Sequence, residues 1–309
     1  MRTSFYRIFL SIILIVESSY ASPWIISHRG GGENNPENTL FAFSKSIEMG
    51  CDAIEMDVQV TKDNVVVVYH PEDLKKWTDG YGPISSHSWE EIATLNAGYN
   101  YKPEDGHPFR EKNLHIPRIE EVLHQFPKTL LIIDMKSLPA ETLVKALIEA
   151  ISDEESIRLI FYSTNSEHID LLNFYKPHWR TFEKRDLTRQ RLLEFSQTAQ
   201  SALPISSVWM GFELKRKMGV TETFTLGSGN STVEFRLWTP QLVSYLRNAN
   251  SELFLVLFGI NKEDEWEEAL NLGIDAVYTD NPYRIMEIKK KTEKKIAQPL
   301  LLQSNKIAS

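Results

Sequence analysis

Short, continuously apolar runs rich in β-branched residues recur along the chain, alternating with segments whose apolar positions repeat at helical spacing. The runs fall at residues 24–27, 53–60 with 65–69, 130–134, 158–162, roughly 179–182, 208–212, 253–258 and 276–278. Amphipathic stretches lie between them at 40–49, 141–151, 168–174, 187–198, 241–248 and 265–272. Strands without a polar alternate face are buried on both sides, as in a parallel sheet. Eight such runs alternating with helices predict an α/β fold, a (β/α)8 TIM-type barrel spanning residues 22–290. Asn35-Pro36 and Asn281-Pro282 each offer an Asn N-cap followed by Pro in the first helical position.

Two segments break the alternation. Residues 71–115 hold Gly80, Gly82, Pro83, Gly98, Pro103, Gly106 and Pro108, with one short helix whose start, Ser88-Trp89-Glu90-Glu91, resembles a capping box. This is a small loop-rich insertion after strand two, on the face where barrel enzymes keep their chemistry. Residues 215–236, with Gly227, Gly229 and many Thr and Ser, are expected to form a second long loop. Long loops of this kind serve as lids or specificity elements. The chain contains no internal repeat.

Composition narrows the partners. The 309 residues, 42% hydrophobic and 25% charged, suit a globular protein with a sizeable core. A net charge of −8 and a pI near 5.6 exclude a general nucleic-acid binder and require any phosphate site to be a local cluster of cations. Cys51 is the single cysteine, so no intrachain disulfide forms, and its place at the start of an apolar strand reads as a small buried hydrophobe. Residues 1–21 read as a signal peptide: Arg2 and Arg7, an apolar core over 8–16, and Ser19-Tyr20-Ala21 for cleavage after Ala21. The expectation is an exported protein, periplasmic or secreted; an uncleaved anchor is the alternative. Residues 291–309 are expected to be a polar tail. Its lysines, with Lys289 and Lys290 before them, suit either a solvated helix end or a peripheral contact with an anionic membrane. Oligomeric state is not readable.

The chemistry collects near strand ends. Glu55 and Asp57 lie two apart on one strand and therefore share a face. Paired carboxylates repel, and a hard dication between them relieves that cost. A solvated or salt-bridged pair is the competing explanation, weakened here because the strand is otherwise apolar. Asp134 ends another apolar run and would complete a facial set of three; Lys136 shares its direction and serves either as a phosphate-binding charge or as the ion-pair partner of Asp134. His28 and His70 each end a strand and titrate near neutrality, which suits an acid–base pair. Arg29 follows His28 and can clamp phosphate oxygens.

Taken together, these motifs resemble the glycerophosphodiester phosphodiesterase family. The matching elements are His28-Arg29-Gly30, Pro36-Glu37-Asn38-Thr39, Glu55-Met56-Asp57, His70, Leu95-Asn96-Ala97-Gly98, Ile116-Pro117, Leu272-Gly273-Ile274-Asp275 and Thr279-Asp280-Asn281-Pro282. They span nearly the whole chain after residue 21. The resemblance implies a TIM-type barrel with the insertion at 71–115. It implies one divalent cation, Ca2+ or Mg2+, on Glu55, Asp57 and Asp134, with His28 and His70 as acid and base. Arg29 and Lys136 would bind phosphate, and Glu37 would orient Arg29 or substrate. The implied activity is hydrolysis of a small-molecule glycerophosphodiester to glycerol 3-phosphate and an alcohol.

Two positions depart from the family pattern. The third metal position is usually Glu; here it is Asp134, as in the related sphingomyelinase D-like enzymes. The usual Trp-Thr-Val-Asn after strand seven is replaced by Phe258-Gly259-Ile260-Asn261. A lysophospholipase D or sphingomyelinase D-like activity on lipid phosphodiesters is the alternative within the reaction class. A non-catalytic exported binding protein on the same fold is the alternative outside it.

Overall fold

A computed structural model describes residues 22–202 and 204–307; the expected signal segment lies outside the described residues. The strands are β1 (Trp24–Ser27), β2 (Ala53–Val60), β3 (Val66–Val68), β4 (Leu130–Met135), β5 (Leu159–Tyr162), β6 (Trp209–Glu213), β7 (Arg216–Phe224), β8 (Gly227–Phe235), β9 (Phe254–Phe258) and β10 (Ala276–Thr279). The helices are α1 (Leu40–Met49), α2 (Trp89–Ile92), α3 (Ile119–Gln125), α4 (Ala140–Ala150), α5 (Asp153–Ser156), α6 (Ser166–Tyr175), α7 (Arg185–Thr198), α8 (Pro240–Ala249), α9 (Glu263–Leu272) and α10 (Pro282–Ile307).

Seven strands pair in parallel in the order β5-β4-β2-β1-β10-β9-β6. The run expected as a strand at 179–182 is reduced to two parallel bridges, Thr181 with Phe161 of β5 and Phe182 with Trp209 of β6. Those bridges join the two edges of the curled sheet. The interior cluster draws on every staff of the barrel: Ile26, Ala53, Ile132, Ile160, Phe182, Trp209, Val256 and Ala276 are all buried there. The filled interior leaves chemistry only at its rim. Outside it, two apolar clusters seal the helices onto the sheet, one around Val58, Ile133 and Leu143, the other around Leu255, Trp266 and Ile285. Cys51 packs at the edge of the second, half-buried, and burial pushes its thiol up to about 12.

Several local expectations change. The helix expected to open at Pro36 opens at Leu40, with Thr39 as N-cap accepting from the Ala42 amide. Asn38 sits in the left-handed region at φ 58, which interrupts the helix and frees its side chain for the site. The second Asn-Pro behaves as expected: Asn281 Oδ1 accepts from the Arg284 amide. The capping box at Ser88 is present. Residues 215–236 are not a loop but an antiparallel hairpin, β7–β8, with Phe224 opposite Gly227. Alternating Thr, Val and Phe gives these strands their β preference, although little of the hairpin is buried. The polar tail expected from 291 continues α10 as far as Ile307. The insertion packs Leu74, Ile84 and Ile92 into a small cluster with Val67 of β3 and with Tyr69 just after it.

Candidate active site

Asp57 and Asp134 stand directly opposite each other on β2 and β4, and Glu55 lies two residues earlier on the same face of β2. Strand pairing alone thus brings the three carboxylates together: their ligand atoms lie within 4.8 Å of one another, and all three are buried. Burial and the neighbouring Asp57 raise the Glu55 pKa to about 8, and burial likewise raises Asp134 to about 6. Asp57 goes the other way. Burial opposes its ionisation, but Arg29 and Lys136 outweigh that and hold it below the usual carboxylate range.

A three-residue turn, His28–Gly30, follows β1 and carries the next groups. Arg29 takes a left-handed conformation, φ 54, so its amide donates to Glu55 Oε2 at 3.0 Å while its guanidinium swings back to the acids. Arg29 Nε lies 2.9 Å from Asp57 Oδ2, and Nη1 lies 3.4 Å from Glu37 Oε2. Gly30 has no room for a side chain: a Cβ there would fall 2.8 Å from both Ala42 and Phe43. Asn38 donates from Nδ2 to Asp57 Oδ2 at 2.9 Å and accepts from the Asp57 amide at 3.1 Å.

The two histidines differ in their surroundings. His28 Nδ1 is 2.6 Å from Asp280 Oδ1, and its Nε2 is 3.8 Å from Glu55 Oε2. Burial would lower the His28 pKa, but Glu55 and the Asp280 bond more than offset it and raise it to about 9. Asn261 Nδ2 donates to the other Asp280 oxygen at 3.0 Å and steadies it. His70 follows β3 and lies 4.0 Å from Glu37 Oε1. Burial, with the charges of Arg29 and Lys136, lowers its pKa to about 4 despite Asp57. Glu37 is fixed in turn by Trp77 Nε1 of the insertion at 3.0 Å.

Lys136 makes the ion pair with Asp134 and also lies 3.2 Å from Asp57 Oδ1. A cavity of about 280 Å³ opens beside these groups, walled by His28, Arg29, Glu55, Asp134 and Lys136 on one side and by Tyr162, Arg185, Glu213 and Phe258 on the other. The Phe258 ring stacks on Tyr278 at 4.5 Å. At Gly259 a Cβ would meet nothing within 4 Å, so the altered segment after β9 leaves the wall open there.

A divalent cation fits this donor set. Three convergent buried carboxylates are hard oxygen ligands, and Asp134 Oδ1 is buried with no hydrogen-bond partner. The shorter Asp134 still reaches the other two acids.

All eight residues expected from the sequence therefore gather at one end of the barrel. Residues 28–284 match the model of the Glycerophosphoryl diester phosphodiesterase family. The chain belongs to this family. An uncharacterised Mycobacterium tuberculosis protein, Rv2277c, is 36% identical over 265 residues, 84% of this chain and 87% of that one. The crystal structure of its glycerophosphoryl diester phosphodiesterase domain superposes with a TM-score of 0.78 at 34% identity, covering 86% of this chain and 99% of the other. A glycerophosphodiester phosphodiesterase of Caldanaerobacter subterraneus is 28% identical over 86% of this chain and 98% of its own length. The human protein named Lysophospholipase D GDPD1 is 26% identical over 85% of this chain and 84% of its own.

Sequence reasoning assigned no role to several groups that this family member places at the site. Asp280 and Asn38 lay inside quoted motifs, where Asp280 looked like part of a helix start and Asn38 like the first turn of a helix. Trp77 and Asn261 act through Glu37 and Asp280. Arg185 donates to Tyr162 OH at 2.8 Å and also bonds Glu213. No spacing signal links residues on three different elements.

Proposed function

We propose that this protein hydrolyses glycerophosphodiesters to glycerol 3-phosphate and an alcohol, with Glu55, Asp57 and Asp134 holding one divalent cation, Ca2+ or Mg2+. The observation that carries the reading is the buried acid triad within 4.8 Å, bordered by His28 and Lys136 on the same cavity. When bound, the cation supplies Lewis-acid polarisation of a phosphoryl oxygen. Lys136 and Arg29 add positive charge beside the phosphoryl oxygens as negative charge builds on them. His28 is the general acid: Asp280 engages Nδ1 and favours the imidazolium, leaving Nε2 to protonate the leaving alcohol. His70 is the general base and takes the proton of the attacking hydroxyl, either water or the neighbouring glycerol hydroxyl through a cyclic phosphate. Glu37 orients both Arg29 and His70. The protein acts outside the cytoplasm, in keeping with the charge and apolar pattern of residues 1–21.

A second reading, lysophospholipase D activity, draws support from Asp134, from the similarity to the human protein of that name, and from the apolar hairpin beside the mouth. Glycerophosphocholine and lysophosphatidylcholine, assayed with EDTA and with metal added back, test both readings. Chelator-sensitive release of choline from the first supports the main proposal. Activity on lysophosphatidylcholine alone replaces it with the second, and no release from either overturns both.

A further inference from the structure

The β7–β8 hairpin has no place in the catalytic scheme, yet it leaves the barrel directly from the cavity wall. Glu213 ends β6 and lines the cavity; Arg216 opens β7 and donates to Glu213 Oε1 at 3.1 Å. Among the described residues the ribbon pairs with no other strand. A lone two-stranded hairpin is marginal in water, so one retained at this length points to a contact it makes elsewhere.

Its tip is apolar in an unusual way. Leu226 is fully exposed and Phe224, which pairs with Gly227 at the turn, is 59% exposed. Residues 223–233 carry no ionisable side chain, so their transfer out of water involves no charge desolvation. The cations at the base of the ribbon are paired within the protein, Arg216 with Glu213, Arg236 with Glu268, and Lys215 with Asp264 and Glu265, and Glu222 is the ionisable residue that comes nearest to the turn. Leu138, 62% exposed, lies in the connection that follows β4 and leaves the barrel at the same end.

We propose that the β7–β8 hairpin is an interfacial anchor whose tip, Phe224 and Leu226, enters a lipid bilayer and seats the barrel mouth against it. The apolar side chains are concentrated at a point rather than spread over a face. A stable interface with a second copy of the chain needs a broad face, whereas a bilayer accepts a tip. With no cation at the tip and Glu222 the ionisable residue nearest to it, the attraction is hydrophobic rather than electrostatic. Zwitterionic vesicles therefore suffice, and salt changes binding little. This contact differs from the lysine run near the end of the chain, which would need anionic lipid.

The test uses the full chain and needs no turnover, so it stands apart from the proposed reaction. An environment-sensitive fluorophore is attached at Leu226→Cys in a Cys51→Ser background, and in a second sample at Lys128→Cys, an exposed position just before β4 at the opposite end of the barrel. Phosphatidylcholine vesicles should shift the emission of the label at 226 to the blue and leave the label at 128 unchanged. No shift at 226, or equal shifts at both, overturns the proposal. In unlabelled protein, Phe224→Ser with Leu226→Ser should weaken vesicle binding by about tenfold or more, from the apolar area lost, without moving the thermal midpoint. Unchanged binding overturns the proposal. So does a lipid-free dimer that the double substitution dissolves, since a second copy of the chain would then cover the tip.

Discussion

Asp280 Oδ1 lies 2.6 Å from His28 Nδ1, although 252 positions separate the two residues. The barrel makes this contact by pairing β1 with β10 in register, so that Ser27 faces Thr279 and the residues after each emerge side by side. Removing the carboxylate with Asp280→Asn keeps the shape but loses the charge that favours the imidazolium. Turnover of glycerophosphocholine should fall by roughly 10²-fold, with KM little changed. The alkaline limb of the pH–rate profile, set by loss of the His28 proton, should move to lower pH. A variant with wild-type turnover would remove His28 from the acid role.

Asn38 grips Asp57 twice, through Nδ2 and through Oδ1. Asn38→Ala leaves Asp57 with fewer buried partners and forces alanine into a left-handed conformation. A loss of about 2–3 kcal/mol in urea unfolding is expected, together with metal affinity weaker by roughly tenfold or more. Equal stability in urea would contradict this account of Asp57.

Gly211 on β6 makes room for the cavity wall. A Cβ there would fall 2.6 Å from the Phe258 ring and 3.0 Å from Phe182. Gly211→Ala should displace Phe258 from its stack on Tyr278 and destabilise the fold by about 1–3 kcal/mol. Calorimetric unfolding of the variant checks this; an unchanged midpoint would mean that the wall yields without cost.

Metal and pH are linked through the triad. Glu55 is raised to about 8 and His28 from 6.5 to about 9, so between pH 6.5 and 8 the folded chain binds more protons than the unfolded one. Stability supplied by raised groups is lost as pH rises, so the metal-free protein should melt at progressively lower temperature across that window. His70 has the opposite sign, but its window, from about 4 to 6.5, is already passed. Bound metal displaces the Glu55 proton, so affinity should climb toward pH 8 with proton release. Titration calorimetry in two buffers of different ionisation enthalpy reads that release directly. Identical heats in both would show that Glu55 enters the site already ionised.

Seven of the eight strand runs, most helices and all eight proposed site residues were legible in the sequence, because burial on both faces and helical periodicity leave a local signature. Glu55 and Asp57 were visible for the same reason: two acids in an apolar strand violate the pattern that surrounds them. The eighth run was not a strand, since closing the ring needs only two bridges, at Thr181 and Phe182. The hairpin at 215–236 was read as a loop because its glycines and hydroxyl residues mimic one, and almost no buried position marks its pairing.

Residue types and their strand-end positions were thus set along the chain itself, where local hydrophobic order decides them. Partnerships were not. That Asp280 serves His28, that Trp77 steadies Glu37, and that Arg185 and Glu213 wall the cavity depends on strands far apart in sequence meeting around one ring. Such contacts are fixed by the register and closure of the sheet, which no short stretch of sequence encodes.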